Sequence, residues 1–598
     1  YSYNSGDSTL TINPASAFIR GDEITVTVTT NVTSDADQAI VSSASSTFSV
    51  ENVDVQSITP SHNAVGIAAN SDIDITFNDT MDNTTLTTGN ILVFGSLSGN
   101  VAGSISIASS TATFNPTSDF ITGEVVTVIV TTGVENSSNV SIASPKVFQF
   151  TVDGSVGYIT QADTVRSVGT APTDVSILDV DVDGNLDLVV TNSTDNTVSI
   201  FLNDGSGGYS TASTLATGTY PAAIASGDFD NLNGMDFVVV NYSDNDVRVF
   251  TNNGSGTFTS ADYVVGTGAI DAAVADLNGD GYLDIAVQNR NVTYASILLN
   301  DGDGTFTASG TISNTSNLDR IIAADIDDDD DIDLAMGGAG MVLFTALNNG
   351  DGTFATATNT GIASYDAEFV DLDGDNMLDL VVSDDGSNEV SVHINSGTGS
   401  FGTATNYTVA DARELSIVDY NGDGDMDIVA VSYSGGYAQV LENGGSGTFT
   451  SGQTFELGSI PVNQSVADLD EDGHQDFVTV NRTANSISIN YGTDFVEVTS
   501  FTPALHAVGI SATANITATF NDDMNAATFT SSNVIVSGSY SGVLSGVFSY
   551  DSPSKTMTFN PDNSFKTGEE ITVAITTGVE NSGGSSLTVP ETFTFTAA

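Results

Sequence analysis

Short apolar runs alternate along most of the chain with short acidic and glycine-rich ones, at a nearly fixed spacing. Val175–Leu178, Leu186–Val190 and Val198–Leu202 are three such runs, bounded by Asp, Asn, Ser and Gly, and the same order returns in each following unit. Runs rich in Val, Ile and aromatics between turn residues read as β-strands. A turn of the form Asn-x-Gly-x-Gly-x-aromatic follows the third run, as in Asn252–Phe258 and Asn348–Phe354, and leads into a fourth. Four strands in about 48 residues make one blade of a β-propeller.

Between the first and second runs of each unit lies a nine-residue acidic motif. Its starts are Asp179, Asp228, Asp276, Asp325, Asp371, Asp419 and Asp468, separated by 49, 48, 49, 46, 48 and 49 residues. Seven motifs predict seven blades. After the last motif the chain supplies only two more strands, Asp476–Val480 and Ser486–Tyr491. Residues 157–168, ahead of the first motif, resemble the outer-strand segments 208–218 and 256–266. They are expected to be the outer strand of blade seven, sealing the ring and removing an open edge.

A second repeat flanks the first. Ile58-Thr-Pro60, Val65-Gly66 and Ile75–Met81 recur as Phe501-Thr-Pro503, Val508-Gly509 and Ala518–Met524. Phe114-Asn-Pro116, Thr122-Gly-Glu124 and Thr131–Asn136 recur as Phe559-Asn-Pro561, Thr567-Gly-Glu569 and Thr576–Asn581, and in part as Ile12-Asn-Pro14 and Arg20-Gly-Asp22. About 100 residues of strands with regular turns is a β-sandwich signature. The expected fold class is all-β, a seven-bladed propeller inserted in a string of immunoglobulin-like sandwiches. The units are 1–53 (the second half of a truncated sandwich), 54–153 (a sandwich), 154–495 (the propeller) and 496–598 (a sandwich). Linkers near 153–156 and 492–496 are expected to hold both sandwiches beside one blade, with the propeller projecting sideways.

Charge narrows the function. Lys and Arg number 10 against 76 Asp and Glu, a formal charge of −66. Too little cationic surface exists to engage nucleic acid or an anionic membrane. Cys is absent, which removes disulfides and thiolate sites. No apolar stretch reaches the length of a membrane span. A charge this negative marks either a solvated acidic surface or carboxylates neutralised by bound divalent cations.

The placement of Asp favours the second reading. The motif Asp-x-[Asp/Asn]-x-Asp-Gly-x-x-Asp sets oxygen donors at positions one, three, five and nine, with the position-seven carbonyl directed inward, and calcium takes six to eight hard oxygens. Candidate ligands are Asp179, Asp181, Asp183, Asn185 and Asp187; Asp276, Asn278, Asp280, Tyr282 and Asp284; and Asp325, Asp327, Asp329, Asp331 and Asp333. The later blades offer Asp371, Asp373, Asp375, Met377 and Asp379; Asp419, Asn421, Asp423, Asp425 and Asp427; and Asp468, Asp470, Asp472, His474 and Asp476. The second loop offers Asp228, Asp230 and Asp236 but has Leu232 at position five, so it is expected to bind weakly or not at all. About six structural calcium ions are implied. Solvated acidic turns do not account for Val at alternate positions in Asp179–Asp183.

The acidic loop, the blade period and the Asn-x-Gly-x-Gly-x-Phe turn resemble the FG-GAP or VCBS repeat family, which includes the integrin α-subunit propeller and many bacterial surface proteins. The flanking units resemble bacterial Ig-like domains of S-layer and adhesin proteins. The resemblance implies structural calcium between the first and second strands of a blade, on the face opposite the ligand face.

That opposite face is formed by the loops entering each motif strand and those between second and third strands. Arg290, Arg320, Arg413 and Arg482 fall there, four of the seven Arg in the chain, with Tyr220, Tyr242, Tyr294, Tyr365 and Tyr433 in comparable loops. Arg among aromatics suits a carboxylate-bearing or carbohydrate ligand, or a protein. The competing use of each Arg is a structural ion pair with a neighbour such as Asp319 or Asp366. No nucleophile elbow or zinc-protease motif is present. The expectation is a non-enzymatic, extracellular cell-surface protein for adhesion or ligand binding. The alternatives are a component of a surface layer or filament associating with neighbouring copies, and a polysaccharide-binding or polysaccharide-active protein.

Overall fold

The computed structural model describes all residues except 1, 5–8, 13–22, 30, 34–38, 40–41, 50–51, 158, 160–163, 206, 211–212, 233, 315–316, 339, 385, 396–398, 400, 494–495, 583–584 and 588–589. Strands dominate it, with two single-turn 3₁₀ segments at Ala526–Thr528 and Ser552–Ser554.

Seven four-stranded antiparallel sheets form the centre. The first runs Pro172–Leu178, Asp187–Asn192, Thr197–Phe201 and Ser213–Ala216, and the next five repeat this order. In the seventh, Pro461–Ala467, Asp476–Asn481 and Ser486–Asn490 are joined by Thr164–Ser167, which pairs antiparallel with Ser486–Asn490. The earlier part of the expected closing segment, at 158 and 160–163, lies outside the described residues. The first strand of each blade packs on the first strand of the next, and that of blade seven packs on blade one. The ring is closed.

The apolar runs explain this packing. A second strand such as Asp236–Asn241 is buried along its whole length because blades cover both its faces. Each blade interface therefore holds its own hydrophobic cluster. Blades one and two share Leu178, Val189, Ile224 and Phe237, and blades two and three share Val238, Val249, Ile285 and Leu298. Blades six and seven share Val429, Val440 and Phe477 with Val156 and Ile159 of the incoming chain. Each such fully buried side chain contributes about 1.5–3 kcal/mol, so a blade is stable only between its neighbours.

Two flanking sandwiches have the same strand order. In the first, Val55–Thr59, Ile73–Phe77, Thr111–Pro116 and Gly103–Ala108 form one sheet. The other contains Ala64–Ile67, Lys146–Val152, Val125–Val130, Ile91–Gly95 and Gly99–Asn100. Val498–Ala597 repeats both sheets strand for strand. In the first 51 residues the described strands are Ser2–Asn4, Thr9–Thr11, Glu23–Val28 and Ala44–Ser49.

The chain enters and leaves the propeller side by side. Gly157 bridges to Thr493, and Gln475 N donates to Ser155 O at 2.9 Å. The expected sideways projection is not found for the first sandwich, because its second sheet folds back across the acidic-loop face. Phe94, Ile129 and Val147 join the cluster of Leu277 and Ile332 in blades three and four, Val65 packs on blades five and six, and Leu97 and Ile121 pack on blades seven and one. Leu97 and Ser96, at the tip of the hairpin joining Ile91–Gly95 to Gly99–Asn100, reach into the central channel. Buried Glu124 pins that tip by accepting from Ser98 N at 3.0 Å and Ser98 Oγ at 2.8 Å.

Candidate metal loops and the open face

The ninth position of the motif is the most regular feature of the molecule. Asp187, Asp236, Asp284, Asp333, Asp379, Asp427 and Asp476 are all fully buried. In each, one carboxylate oxygen accepts from the N–H of motif position two. Val180 N to Asp187 is 2.9 Å and Leu277 N to Asp284 is 3.0 Å. The other oxygen accepts from the residue that ends the third strand or follows it, with Asn203 N to Asp187 at 2.7 Å and Asn443 N to Asp427 at 2.6 Å. In blade seven Gly492 N takes that place at 2.8 Å. Burial pushes these carboxyls up, to about 7 at Asp187, about 8 at Asp284 and Asp333 and about 9 at Asp476.

The Asn that caps this bond also ties blades together. Asn252 Nδ2 donates to Val180 O of the preceding blade at 2.8 Å and to Met235 O of its own at 3.2 Å. Asn203, Asn300, Asn348 and Asn443 repeat the pattern. The sequence pattern marks these residues as turn formers; their recurrence sixteen residues after the ninth-position Asp, or fifteen at Asn348, is the signal of their second role.

Position one closes the loop. Asp179 accepts from Gly184 N at 2.9 Å, Asp276 from Gly281 N at 2.8 Å and Asp371 from Asn376 N at 2.7 Å. These bonds need left-handed backbone at position six, where Gly184, Gly281, Asp330, Asn376, Gly424 and Gly473 all have positive φ. Position four is left-handed as well, at Val182, Gly279, Asp328, Gly374, Gly422 and Glu471. Val there is a strained choice.

Carboxylates at positions one, three and nine converge. Asp179, Asp181 and Asp187 bring three oxygens within 4.8 Å of one another, as do Asp325, Asp327 and Asp333, and Asp371, Asp373 and Asp379. Asp228, Asp230 and Asp236 do the same, so the second loop gathers the same triad as the others but lacks a position-five carboxylate, with Leu232 exposed there. The position-five groups Asp183, Asp329 and Asp375 lie outside these triads. One oxygen of each accepts from the position-seven N–H, of Asn185, Asp331 and Met377, at 2.9–3.1 Å. Tyr282, Asp425 and His474 donate in the same way to Asp280, Asp423 and Asp472.

Four position-three oxygens, Oδ1 of Asp181, Asp327, Asp373 and Asp470, are buried without a donor. A buried carboxylate oxygen facing two further carboxylates is costly unless a cation meets it. The donor set is hard oxygen throughout, so these clusters fit a metal ion and are compatible with calcium.

The first sandwich closes over this face. Lys146 Nζ lies 2.5 Å from Asp330 Oδ2, Asn63 Nδ2 donates to Asn376 O at 3.3 Å, and His62 Nε2 lies 3.3 Å from Asp325 Oδ2. Two of these contacts are at position six and one at position one.

The opposite face carries a cavity of about 430 Å³ that gathers Arg290, Arg320, Arg413 and Arg482 with Tyr220, Tyr365 and Tyr433. Tyr242 stands behind Tyr220, ring centroids 5.6 Å apart; neither Tyr242 nor Tyr294 lines the cavity. Three of the four Arg have carboxylate partners. Arg290 Nε is 2.9 Å from Asp319 and Arg413 Nε is 3.2 Å from Asp411, while Arg320 pairs with Glu414 and lies 4.0 Å from Asp366. Arg413 also stacks over Tyr433 at 3.7 Å and Tyr365 at 5.1 Å. Arg482 Nη2 donates to Tyr220 Oη at 2.8 Å.

Below this cavity is a ring not foreseen from the sequence. Five residues before each motif stand Asp174, Ala223, Asp271, Arg320, Asp366, Glu414 and Asn463. Asp174, Asp271 and Asp366 each accept from a backbone N–H of the next blade, of Ile224, Ile321 and Leu415, at 2.9–3.0 Å. Burial and neighbouring acids raise Asp174 to about 7 and Glu414 to about 8, against the pull of Arg320.

With this geometry the class is defined. Residues 179–231, 233–287, 276–336, 371–430 and 419–477 match the FG-GAP-like repeat, and residues 49–152 and 493–597 match the bacterial Ig-like domain. The chain is thus an FG-GAP-repeat propeller flanked by bacterial Ig-like domains, module types typical of extracellular or surface proteins. No curated protein matches it in sequence. Among solved structures it is similar to BBS1N in complex with ARL6DN, at 14% identity over 57% of this chain and 98% of that one, TM-score 0.42. It is also similar to a putative 6-phosphogluconolactonase from Bacteroides fragilis, at 15% identity over 63% of this chain and 98% of that one, TM-score 0.39. Neither likeness bears on function. Among the described residues no helix is long and apolar enough to cross a membrane.

Proposed function

We propose that the protein is a non-enzymatic extracellular surface protein whose propeller is a ligand-binding head, braced by calcium in its acidic loops. The observation that carries this reading is the gathering of four Arg and three Tyr in one cavity, on the face that the first Ig-like module leaves open. Cationic side chains are scarce in a chain of charge −66, and concentrating four of ten at one concave site favours recognition over solubility. Calcium in the loops would be held by the converging position-one, three and nine carboxylates and would neutralise charge that otherwise opposes folding. These ions brace the blades and take no part in ligand chemistry.

The test is a screen of the calcium-loaded full chain against immobilised glycans and extracellular proteins. The expected outcome is binding that is lost on Arg413→Ala. Absence of binding to every probe, with ordered self-assembly on adding calcium, would instead support a structural surface-layer component.

A further inference from the structure

We infer that the cavity of the open face takes a sugar ring bearing a carboxylate, with Arg482 as the carboxylate's partner. The inference deepens the ligand-binding reading above and rests on it.

Charge is the first support. The lining holds four Arg against two acids, Asp319 and Glu414, in a chain where acids outnumber bases 76 to 10. Four of the ten basic side chains gathered in one lining are a built feature, and with Asp411 and Asp366 at its edge counted, Arg482 is the one left without a carboxylate partner among the described residues. The four Arg are also not equivalent. Arg290, Arg320 and Arg413 are each within ion-pair distance of a carboxylate, at Asp319, Glu414 and Asp411. Among the described residues no carboxylate reaches Arg482, and its side-chain hydrogen bond is to the neutral Tyr220 Oη. A guanidinium has five N–H donors in a planar fork matched to a carboxylate. Tyr220 uses one group and orients the rest. The three paired Arg are scaffold; Arg482 is the one with unspent charge.

The aromatic rings set the shape of the ligand. Arg413 over Tyr433 and Tyr365 fixes two ring planes, and the Arg482 bond fixes Tyr220. Tyrosines lining a cavity combine apolar ring surface with a polar hydroxyl, a pairing that suits the faces and hydroxyls of a pyranose. The remaining lining is small or polar, Thr173 and Ala222, with Ile270 and Val462 as its aliphatic members. Among the described residues the lining offers only these two large aliphatic side chains to a hydrophobic peptide side chain. At about 430 Å³ the cavity lies in the range of small-molecule sites, roughly 300–1,000 Å³. Polyanions are disfavoured by the surrounding negative field, whereas a ligand with one carboxylate on a neutral body pairs with Arg482 at little long-range cost.

The experiment is calorimetric titration of the calcium-loaded full chain with glucuronate, galacturonate and neutral oligosaccharides ending in a single uronate, their neutral parent sugars, an acidic peptide and inorganic phosphate. The single-uronate ligands are expected to bind at least tenfold more tightly than the neutral parents. That preference should disappear in Arg482→Ala, which keeps the wild-type melting temperature, and be partly kept in Arg482→Lys. Equal binding of neutral sugars, indifferent to Arg482, overturns the carboxylate inference and leaves the ligand-binding head standing. Phosphate or the acidic peptide competing as well as uronate overturns the sugar assignment. Binding of none of these probes overturns the inference; if the broader screen is also blank, the ligand-binding reading falls with it.

Discussion

The two faces of the propeller are made by the same seven inner strands and yet have opposite designs. On one, every blade repeats the same acidic loop, the same buried ninth-position Asp and, in six blades, the same Asn or its equivalent, and a whole sandwich module covers the result. On the other, the loops differ from blade to blade: the position fourteen residues after the motif start is Ser193, Tyr242, Arg290, Tyr433 and Arg482 in blades one, two, three, six and seven, and Arg413 stands where other blades have Thr173, Ala222, Ile270, Asp319, Tyr365 and Val462. Repetition marks what holds the ring together, because every blade interface poses the same physical problem. Variation marks what the ring presents. Residues with function in recognition are thus sought where the repeat departs from itself.

This contrast can be broken in four ways. The largest effect is expected from Asp284→Ala, which strands the N–H groups of Leu277 and Asn300 in a buried site. A loss of about 3 kcal/mol or more is expected in the unfolding free energy of the calcium-loaded protein. A loss under about 1 kcal/mol would mean that the repeated face is not the structural one.

Leu97→Asp comes next. It sets a charge in the channel mouth beside Asp174 and Glu414 and should free the first module from the loop face, at a cost of about 2–4 kcal/mol of docking. Small-angle scattering should report a larger radius of gyration, and protease should cut near 153–156. An unchanged radius would show that Lys146, Asn63 and the sheet contacts suffice.

Acidity gives a smaller effect with a definite sign. Asp174 sits at about 7 in the folded chain, raised chiefly by burial, against an ordinary value of 3.8. The folded state therefore binds the proton more tightly, and Asp174 lowers stability progressively as pH rises from about 4 to about 7. Asp174→Asn removes that slope. The melting temperature of the variant relative to wild type should climb between about pH 4 and about 7 and level off above that, and a constant difference would contradict the assignment. The smallest effect belongs to Arg482→Ala, expected within about 0.5 kcal/mol of wild-type stability. A larger loss would place Arg482 with the scaffold.

Much of this was legible in the sequence because it repeats. The seven motif starts gave the blade count, and the resemblance of 157–168 to other outer strands pointed to the Thr164–Ser167 pairing. Alternation in the loops located the carboxylates that converge. The docking of the first sandwich was not legible. Leu92, Phe94 and Val147 read as ordinary strand residues, and their counterparts Ile535, Ser537 and Thr592 in the last module lie on the same strands. At the hairpin tip, Tyr540 is exposed where its counterpart Leu97 is packed. Which sandwich face meets a partner depends on a few substitutions that leave the β-pattern intact. The acid ring was missed for a related reason. Its members differ in identity, and only their shared position five residues before the motif connects them.

Bound calcium is proposed to hold the acidic loops and, through them, the propeller and its docked module. Differential scanning calorimetry of the full chain in chelator and in increasing free calcium tests it most directly. The propeller transition should rise steadily with calcium, by about 2.7 kcal/mol per site at a hundredfold excess over Kd, while the last Ig-like module stays put. Superimposed transitions in chelator and in saturating calcium would contradict the account.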